Sequence, residues 1–401
     1  LVANICGIHW IPTHRDSTDK VTFKSWNPAV FKLVTTDVKI PYLEDVPANS
    51  KLLIRHHPMS ELNDQRSSPD FIRNPESFGD QHAQMCYSMM TYCEANGIPK
   101  SRLLFEGLNE PQLWAGESPA IVNRYYKRFL SNLHNINCNG VIGNFGVGWP
   151  GNGGGIGAAV QWSFFEDAIS EMRTGDFLGL HEYWALTGVK ENWTWWAGRY
   201  KQCPYDVPIL ITETGIDTGV TGTSYGGWRS LPLGTNDAKA ARYVDELFEY
   251  AQICYDDGRI YCIMPFTYDI GSPHWEQFNL KDQTFLNAWW KRVEKTGYIA
   301  APDFSSLPVP NVFIPTPEPP VVVVPSTEPP IETMRQKLAE VLKVPYTPTY
   351  ALSVKADEAG LGVRLTDELH VDGWVLQGHA LGFVYTKEGD WDLNHITVEV
   401  Y

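Results

Sequence analysis

Two glutamates stand where an apolar run stops at a charged side chain and the backbone then breaks. Leu103-Leu104-Phe105-Glu106-Gly107-Leu108-Asn109-Glu110 is followed by Pro111, and Ile209-Leu210-Ile211-Thr212-Glu213-Thr214 by Gly215. This is the pattern of a strand opening into a loop, and loops held by a rigid scaffold are where catalytic groups concentrate. Two carboxyl groups facing each other are the equipment for cleaving a glycosidic bond. Acids favoured at helix starts by the macrodipole are the plainer reading of each glutamate. That reading does not explain why both end an apolar run.

Such residues need elements to hold them. Residues 1–301 alternate short apolar runs with amphipathic segments. The strand candidates are 4–10, 31–35, 51–56, 102–108, 140–145, 176–183, 207–213 and 260–268. Helices are expected over 75–96, 118–135, 158–173, 237–256 and 283–295, with Asn236 or Asp237 capping the fourth and Gly258 ending it. Eight strands alternating with helices over ~300 residues predict an α/β fold, a closed (β/α)8 TIM barrel. Glu110 then closes strand four and Glu213 strand seven, at the end of the barrel where active sites are built. No glycine-rich phosphate loop follows strand one, which counts against an open doubly wound sheet.

From 302 to 330 the composition changes, with ten prolines in 29 residues. This reads as a semi-rigid polyproline linker. Residues 331–401 form a small accessory domain, α+β or mostly β. It has a helix near 332–342 and strand-like runs at 350–354, 362–365, 374–377, 381–385 and 395–400. A carbohydrate-binding or anchoring role and a structural docking role are both open for it.

Asn109-Glu110-Pro111 closing strand four, with Glu213 closing strand seven, resembles the clan A glycoside hydrolases, which include cellulases, mannanases, β-1,3-glucanases, xylanases and β-glycosidases. The resemblance covers residues 1 to about 300 and rests on motif and strand order. It implies a retaining mechanism, with Glu110 as acid/base, kept protonated, and Glu213 as ionised nucleophile, the carboxyls ~5–5.5 Å apart. Asn109 would bind the sugar 2-hydroxyl. On strand six, period-two alternation puts His181 and Tyr183 on one face, and either is expected to hydrogen-bond Glu213. Arg55 and His57 share a face of strand three, where a cation would hold Glu213 ionised; the clan usually draws this arginine from strand two. His9 or Trp10, at the end of strand one, is a further candidate.

The chain also departs from the clan. Strand eight lacks the tryptophan many members place beneath the sugar at the cleavage position, so Phe266, Tyr268 or Trp275 is expected there. Glu106 lies a turn deeper than Glu110, Glu182 should point away from the barrel interior, and Glu276 is likewise set aside. Trp149, in the glycine-rich loop 146–157, Trp184 after strand six and Trp228 after strand seven are expected to wall an extended cleft, together with Trp193, Trp195, Trp196, Tyr225 and Arg229.

Composition agrees with a sugar substrate. The chain has 401 residues with 15 Trp, 19 Tyr and 17 Phe, and indole faces stack on the C–H faces of sugars; large barrels also bury aromatics. A net charge of −15 argues against nucleic acid, anionic membranes and polyanionic substrates. No apolar run is long enough to span a bilayer. Seven scattered cysteines without metal spacing read as buried free thiols. The expectation is therefore an endo-acting retaining hydrolase of a neutral β-linked glycan, without metal or cofactor, secreted although no signal peptide precedes Leu1. The alternatives are an exo-acting β-glycosidase, a carbohydrate-binding pseudoenzyme, and a metal-dependent barrel hydrolase using His9, His56, His57, His181 and Asp269. The last leaves both glutamates without a role.

Overall fold

The computed structural model describes residues 3–13, 15–60, 69–111, 119–147, 150, 162–189, 197–217, 226–269, 273–308 and 310. In the C-terminal part it describes 352, 355, 369–371, 374–379, 382–387 and 395–400. Contacts divide the chain into two compact units, the first within Leu1–Pro150 and Gln161–Phe313, the second within Ile314–Tyr401.

The first unit is a (β/α)8 barrel. Its strands are β1 (Ile8–Trp10), β2 (Val30–Thr35), β3 (Lys51–His56), β4 (Leu103–Glu106), β5 (Asn139–Phe145), β6 (Phe177–Trp184), β7 (Ile209–Ile216) and β8 (Ile260–Pro265). They pair in chain order, each parallel to the next. The ring closes where Gly7 N–H donates to Ile263 O at 2.7 Å and Tyr268 N–H to His9 O at 2.7 Å. Both faces of every strand are covered, one by the barrel interior and one by helices, so these strands are apolar almost throughout. Polar residues inside them therefore stand out.

The helices form where apolar residues recur every three or four positions. Asn236–Asp257 buries Ala240, Tyr243, Val244, Leu247, Ala251 and Cys254. Its N-cap is Thr235, one residue before the expected Asn236; the Thr235 side chain accepts from Ala238 N–H, and Gly258 ends the helix at φ 81°. Gln283–Thr296 stacks Trp289 on Trp26 of the first helix with centroids 4.1 Å apart. The helix expected over 158–173 is shorter among the described residues. A turn at Phe164 and Phe165 precedes Glu166–Ser170, because Trp162 and Phe165 both pack on Phe145.

The lower end of the barrel is apolar. Leu53, Leu104, Val141, Phe177 and Leu210 meet Tyr261, Cys262 and Met264 there, and Ala301, Phe304 and Leu307 pack against them. The Phe304 ring lies 5.7 Å from Phe177 and 5.3 Å from Tyr261. The first residues of the proline-rich stretch thus cover the barrel floor. All seven cysteines are buried and free.

In the second unit, β9 (Leu369–Val371), β10 (Trp374–His379), β11 (Gly382–Lys387) and β12 (Thr397–Val400) form an antiparallel sheet in chain order. Leu352, Val375, Val384 and Ile396 are its core. β9 falls where no strand was expected, and Leu352 is helical where 350–354 reads as strand. The runs near 332–342 and 362–365, and most of 302–330, lie outside the described residues.

Candidate active site

The upper ends of the strands surround a cavity of about 560 Å3, lined by Asn109, Glu110 and Glu213 with Arg55, His57 and Tyr183. The two glutamates reach it in different ways.

Glu213 arrives there through a β-bulge. Leu180 and His181 of β6 pair with Ile211 and Glu213, while Ile263 and Pro265 of β8 pair with Ile211 and Thr214. Between Ile211 and Thr214, β7 thus carries one residue more than the facing stretch of either neighbour, and β8 balances this with an extra residue of its own between Ile260 and Cys262. Strict alternation sends Thr212 inward and Glu213 outward; the extra residue brings both inward. Inside the barrel Thr212 Oγ1 donates to Asn144 Oδ1 at 3.1 Å. Asn144 fits because a Cβ on Gly179 would stand 2.0 Å from its Oδ1.

The Glu213 carboxylate is only 8% exposed and is enclosed by donors. Its Oε1 accepts from Arg55 Nη1 at 3.0 Å and Lys32 Nζ at 3.3 Å, with His9 Nε2 at 3.9 Å. Its Oε2 accepts from Tyr183 OH at 3.2 Å and lies 3.6 Å from His181 Nδ1. Burial alone would raise its pKa; His181, Lys32, His9 and Arg55 outweigh that and hold the carboxyl well below the usual range. Burial, and then the Glu213 charge, pushes the Tyr183 phenol up, so it remains a donor. Burial pushes the His9 imidazole well below its usual value, with the Lys32 charge acting in the same direction.

Glu110 sits beyond the end of β4. Its N–H donates to Asn144 O at 2.9 Å, and Asn109 N–H donates to Ser60 O at 3.0 Å. Glu110 has φ +42°, a conformation a non-glycine residue adopts only when its surroundings impose it. A Cβ on Gly146 would stand 3.3 Å from its Cδ, so a residue without a side chain leaves the carboxyl room. The carboxyl is 46% exposed, and its Oε1 is 2.8 Å from His181 Nδ1. His181 is therefore the nearer partner of Glu110, not of Glu213, and Tyr183 is the strand-six residue that hydrogen-bonds Glu213. One oxygen of each glutamate and His181 Nδ1 all lie within 4.8 Å of one another. Asn109 Oδ1 is buried with no hydrogen-bond partner among the described residues.

Two expected wall residues, Trp184 and Trp228, and one residue expected beneath the sugar, Tyr268, are elsewhere. Trp184 is fully buried outside the barrel, where its Nε1 donates to Glu246 Oε2 at 2.9 Å. It shares the outward face of β6 with Glu182, whose carboxylate accepts from Gly198 and Tyr200 N–H. Trp228 is fully buried and donates to Asn279 O. Tyr268 leaves the interior and packs on Phe23 with its hydroxyl 2.9 Å from Asp19 Oδ1. Its expected place is taken by Phe266 and Trp275, which line the cavity with ring centroids 5.3 Å apart. Trp149, Trp193, Trp195, Trp196 and Tyr225 lie outside the described residues. Glu276 pairs with Arg229, away from the cavity lining.

Lys32 was missed. It is fully buried on β2 and bonds Glu106 Oε1 at 3.0 Å, Thr212 O at 3.2 Å and Glu213 Oε1 at 3.3 Å. The signal was a lysine inside the apolar run Val30-Phe31-Lys32-Leu33-Val34, two positions from either inward valine. Glu106 is its buried partner. Among the described residues, the group of acids and imidazoles close enough to hold an ion is Glu110, His181 and Glu213. The five ligands of the metal-hydrolase alternative do not converge.

No family model matches the chain, and no curated protein matches it in sequence. Several solved structures are similar to it. The catalytic domain of the Bacillus sp. GH26 endo-beta-1,4-mannanase is 13% identical with a TM-score of 0.45, covering 74% of this chain and 87% of that one. The endo-beta-1,4-mannanase from Thermotoga petrophila is 14% identical with a TM-score of 0.42, covering 74% and 78%. A GH5 xyloglucan-specific beta-1,4-glucanase from a ruminal metagenomic library is 12% identical with a TM-score of 0.42, covering 73% and 90%.

Proposed function

We propose that the chain is a retaining glycoside hydrolase acting on a neutral β-linked glycan. The observation that carries this reading is the pair of carboxyls at the top of the barrel, with one oxygen of each within 4.8 Å of the other. Retaining enzymes need the carboxyls ~5–5.5 Å apart so that one can attack the sugar directly, whereas inverting enzymes leave ~6.5–9.5 Å for a water.

The two environments support a division of roles. Glu213, ionised and held from both oxygens, attacks the anomeric carbon and forms a glycosyl–enzyme ester. Glu110, open to the cavity, gives its proton to the leaving oxygen and then takes one from the water that hydrolyses the ester. His181 Nδ1, within reach of both, orients Glu110 and faces the charge that Glu213 loses on bonding. Asn109 offers its unpaired amide to the sugar hydroxyl next to the reacting carbon. Phe266 floors the sugar, and Trp275, 46% exposed at the rim, gives a second ring something to stack on. That extension favours attack within a chain over removal of terminal units.

The test is incubation with a 2-deoxy-2-fluoro glycoside carrying an activated leaving group, followed by peptide mass spectrometry. The label is expected on Glu213. Release of a product with inverted anomeric configuration, seen by NMR, would falsify the mechanism.

A further inference from the structure

We propose that Lys32 and Glu106 form a buried positioning device that fixes the bulge carrying Glu213. The inference rests on the reading of Glu213 as nucleophile and adds what sets its trajectory. Lys32 Nζ has three protons, and three acceptors surround it: Glu106 at 3.0 Å, Thr212 O at 3.2 Å and Glu213 Oε1 at 3.3 Å. One ammonium therefore grips both the backbone carbonyl of the extra residue in β7 and the carboxylate that follows it. Without that grip, β7 has a competing state in which the extra residue is absorbed elsewhere and Glu213 turns outward. Glu106 completes the device from β4. Lys32 and Glu106 side chains are both fully buried, and an ammonium taken out of water persists only beside a carboxylate. Arg55 differs in kind. It approaches the same oxygen from the cavity side, and its Nε is tied to Ser60 Oγ at 3.1 Å. Arg55 touches only the end of the nucleophile, while Lys32 touches its root as well.

The test uses full-length Lys32→Met/Glu106→Leu, which leaves no orphaned carboxylate, beside Lys32→Met and the wild type. Thermal unfolding shows whether the double variant folds, and Lys32→Met is expected to unfold at lower temperature than either. Two readouts follow: the acid limb of kcat/KM against pH on an activated aryl glycoside, and the titration of the Glu213 carboxyl by carbon NMR, assigned with Glu213→Gln. In the double variant both are expected to move up by about 1–2 pH units, with kcat/KM at neutral pH falling at least tenfold. An unchanged Glu213 titration overturns the proposal whatever the activity. So does a double variant that cannot fold while Lys32→Met folds, since the two residues would then hold up the core and not the bulge. A titration that shifts in a protein whose wild type takes no fluoroglycoside label supports the positioning device and removes the hydrolase reading instead.

Discussion

The two carboxyls at the top of the barrel sit less than 5 Å apart at their nearest oxygens and in opposite surroundings. Glu213 is inside the strand ring, 8% exposed, and four side-chain donors converge on it from β2, β3 and β6. Glu110 is outside the ring, 46% exposed, on a backbone of positive φ, with His181 as its close side-chain partner. On the proposed reading, one scaffold draws two chemistries from one residue type. A carboxyl buried among cations stays ionised, as the proposed nucleophile must, while one at the water's edge suits the proposed exchange of protons.

The contrast can be broken at its deepest point first. Glu213→Ala should lower kcat by more than about 10^4-fold, and azide should restore turnover by entering the space vacated. Glu110→Gln should cost about 10^2–10^4-fold on glycosides with poor leaving groups and far less on dinitrophenyl glycosides, which leave without a proton. Equal losses on both substrates would erase the distinction between the two residues. On the stability side, Lys32→Met strands Glu106 and should cost about 3–5 kcal/mol in urea unfolding. A smaller effect comes from acid. The depressed Glu213 pKa contributes stability above the unfolded value of about 4.3 and loses it as pH falls through the folded value. The stability gap between wild type and Glu213→Gln should therefore shrink from about pH 5 downward; a gap that widens with acid contradicts the cage of cations. Tyr183→Phe, which removes one donor to an ionised acceptor, should lower kcat/KM about tenfold. Trp184→Phe should leave kcat/KM unchanged, because its indole lies on the outer side of β6.

Much of this was legible in the sequence. Strand order and the place of each glutamate at the end of an apolar run follow from the apolar runs, and the inward faces of His181 and Tyr183 follow from period two. The same alternation already placed Glu182 outward; applied one turn further it removes Trp184 from the cleft. Lys32 was missed although its signal, a charge inside an apolar run, stood in the sequence; its pairing with Glu106 shows only in the structure. Trp228 and Tyr268 were not legible, because proximity in sequence to a strand end does not say which side of the wall a loop residue takes. Trp228 is drawn into the helix layer by Asn279 O, and Tyr268 by Asp19. The bulge in β7 was the least legible feature. No local composition distinguishes Thr212-Glu213 from an ordinary strand pair, and the extra residue shows only in the local pairing of Ile211–Thr214 with its neighbours.

That extra residue makes the facing of Glu213 a matter of parity. Deleting Thr212 would restore strict alternation from Leu210 and still bring Glu213 inward, whereas keeping Thr212 and straightening the bulge would turn Glu213 outward. The carboxyl would then face the helix layer, as Glu182 does, with the barrel above and below unchanged. The pairing register of the strand thus decides the side on which the carboxyl falls as much as its lettering does.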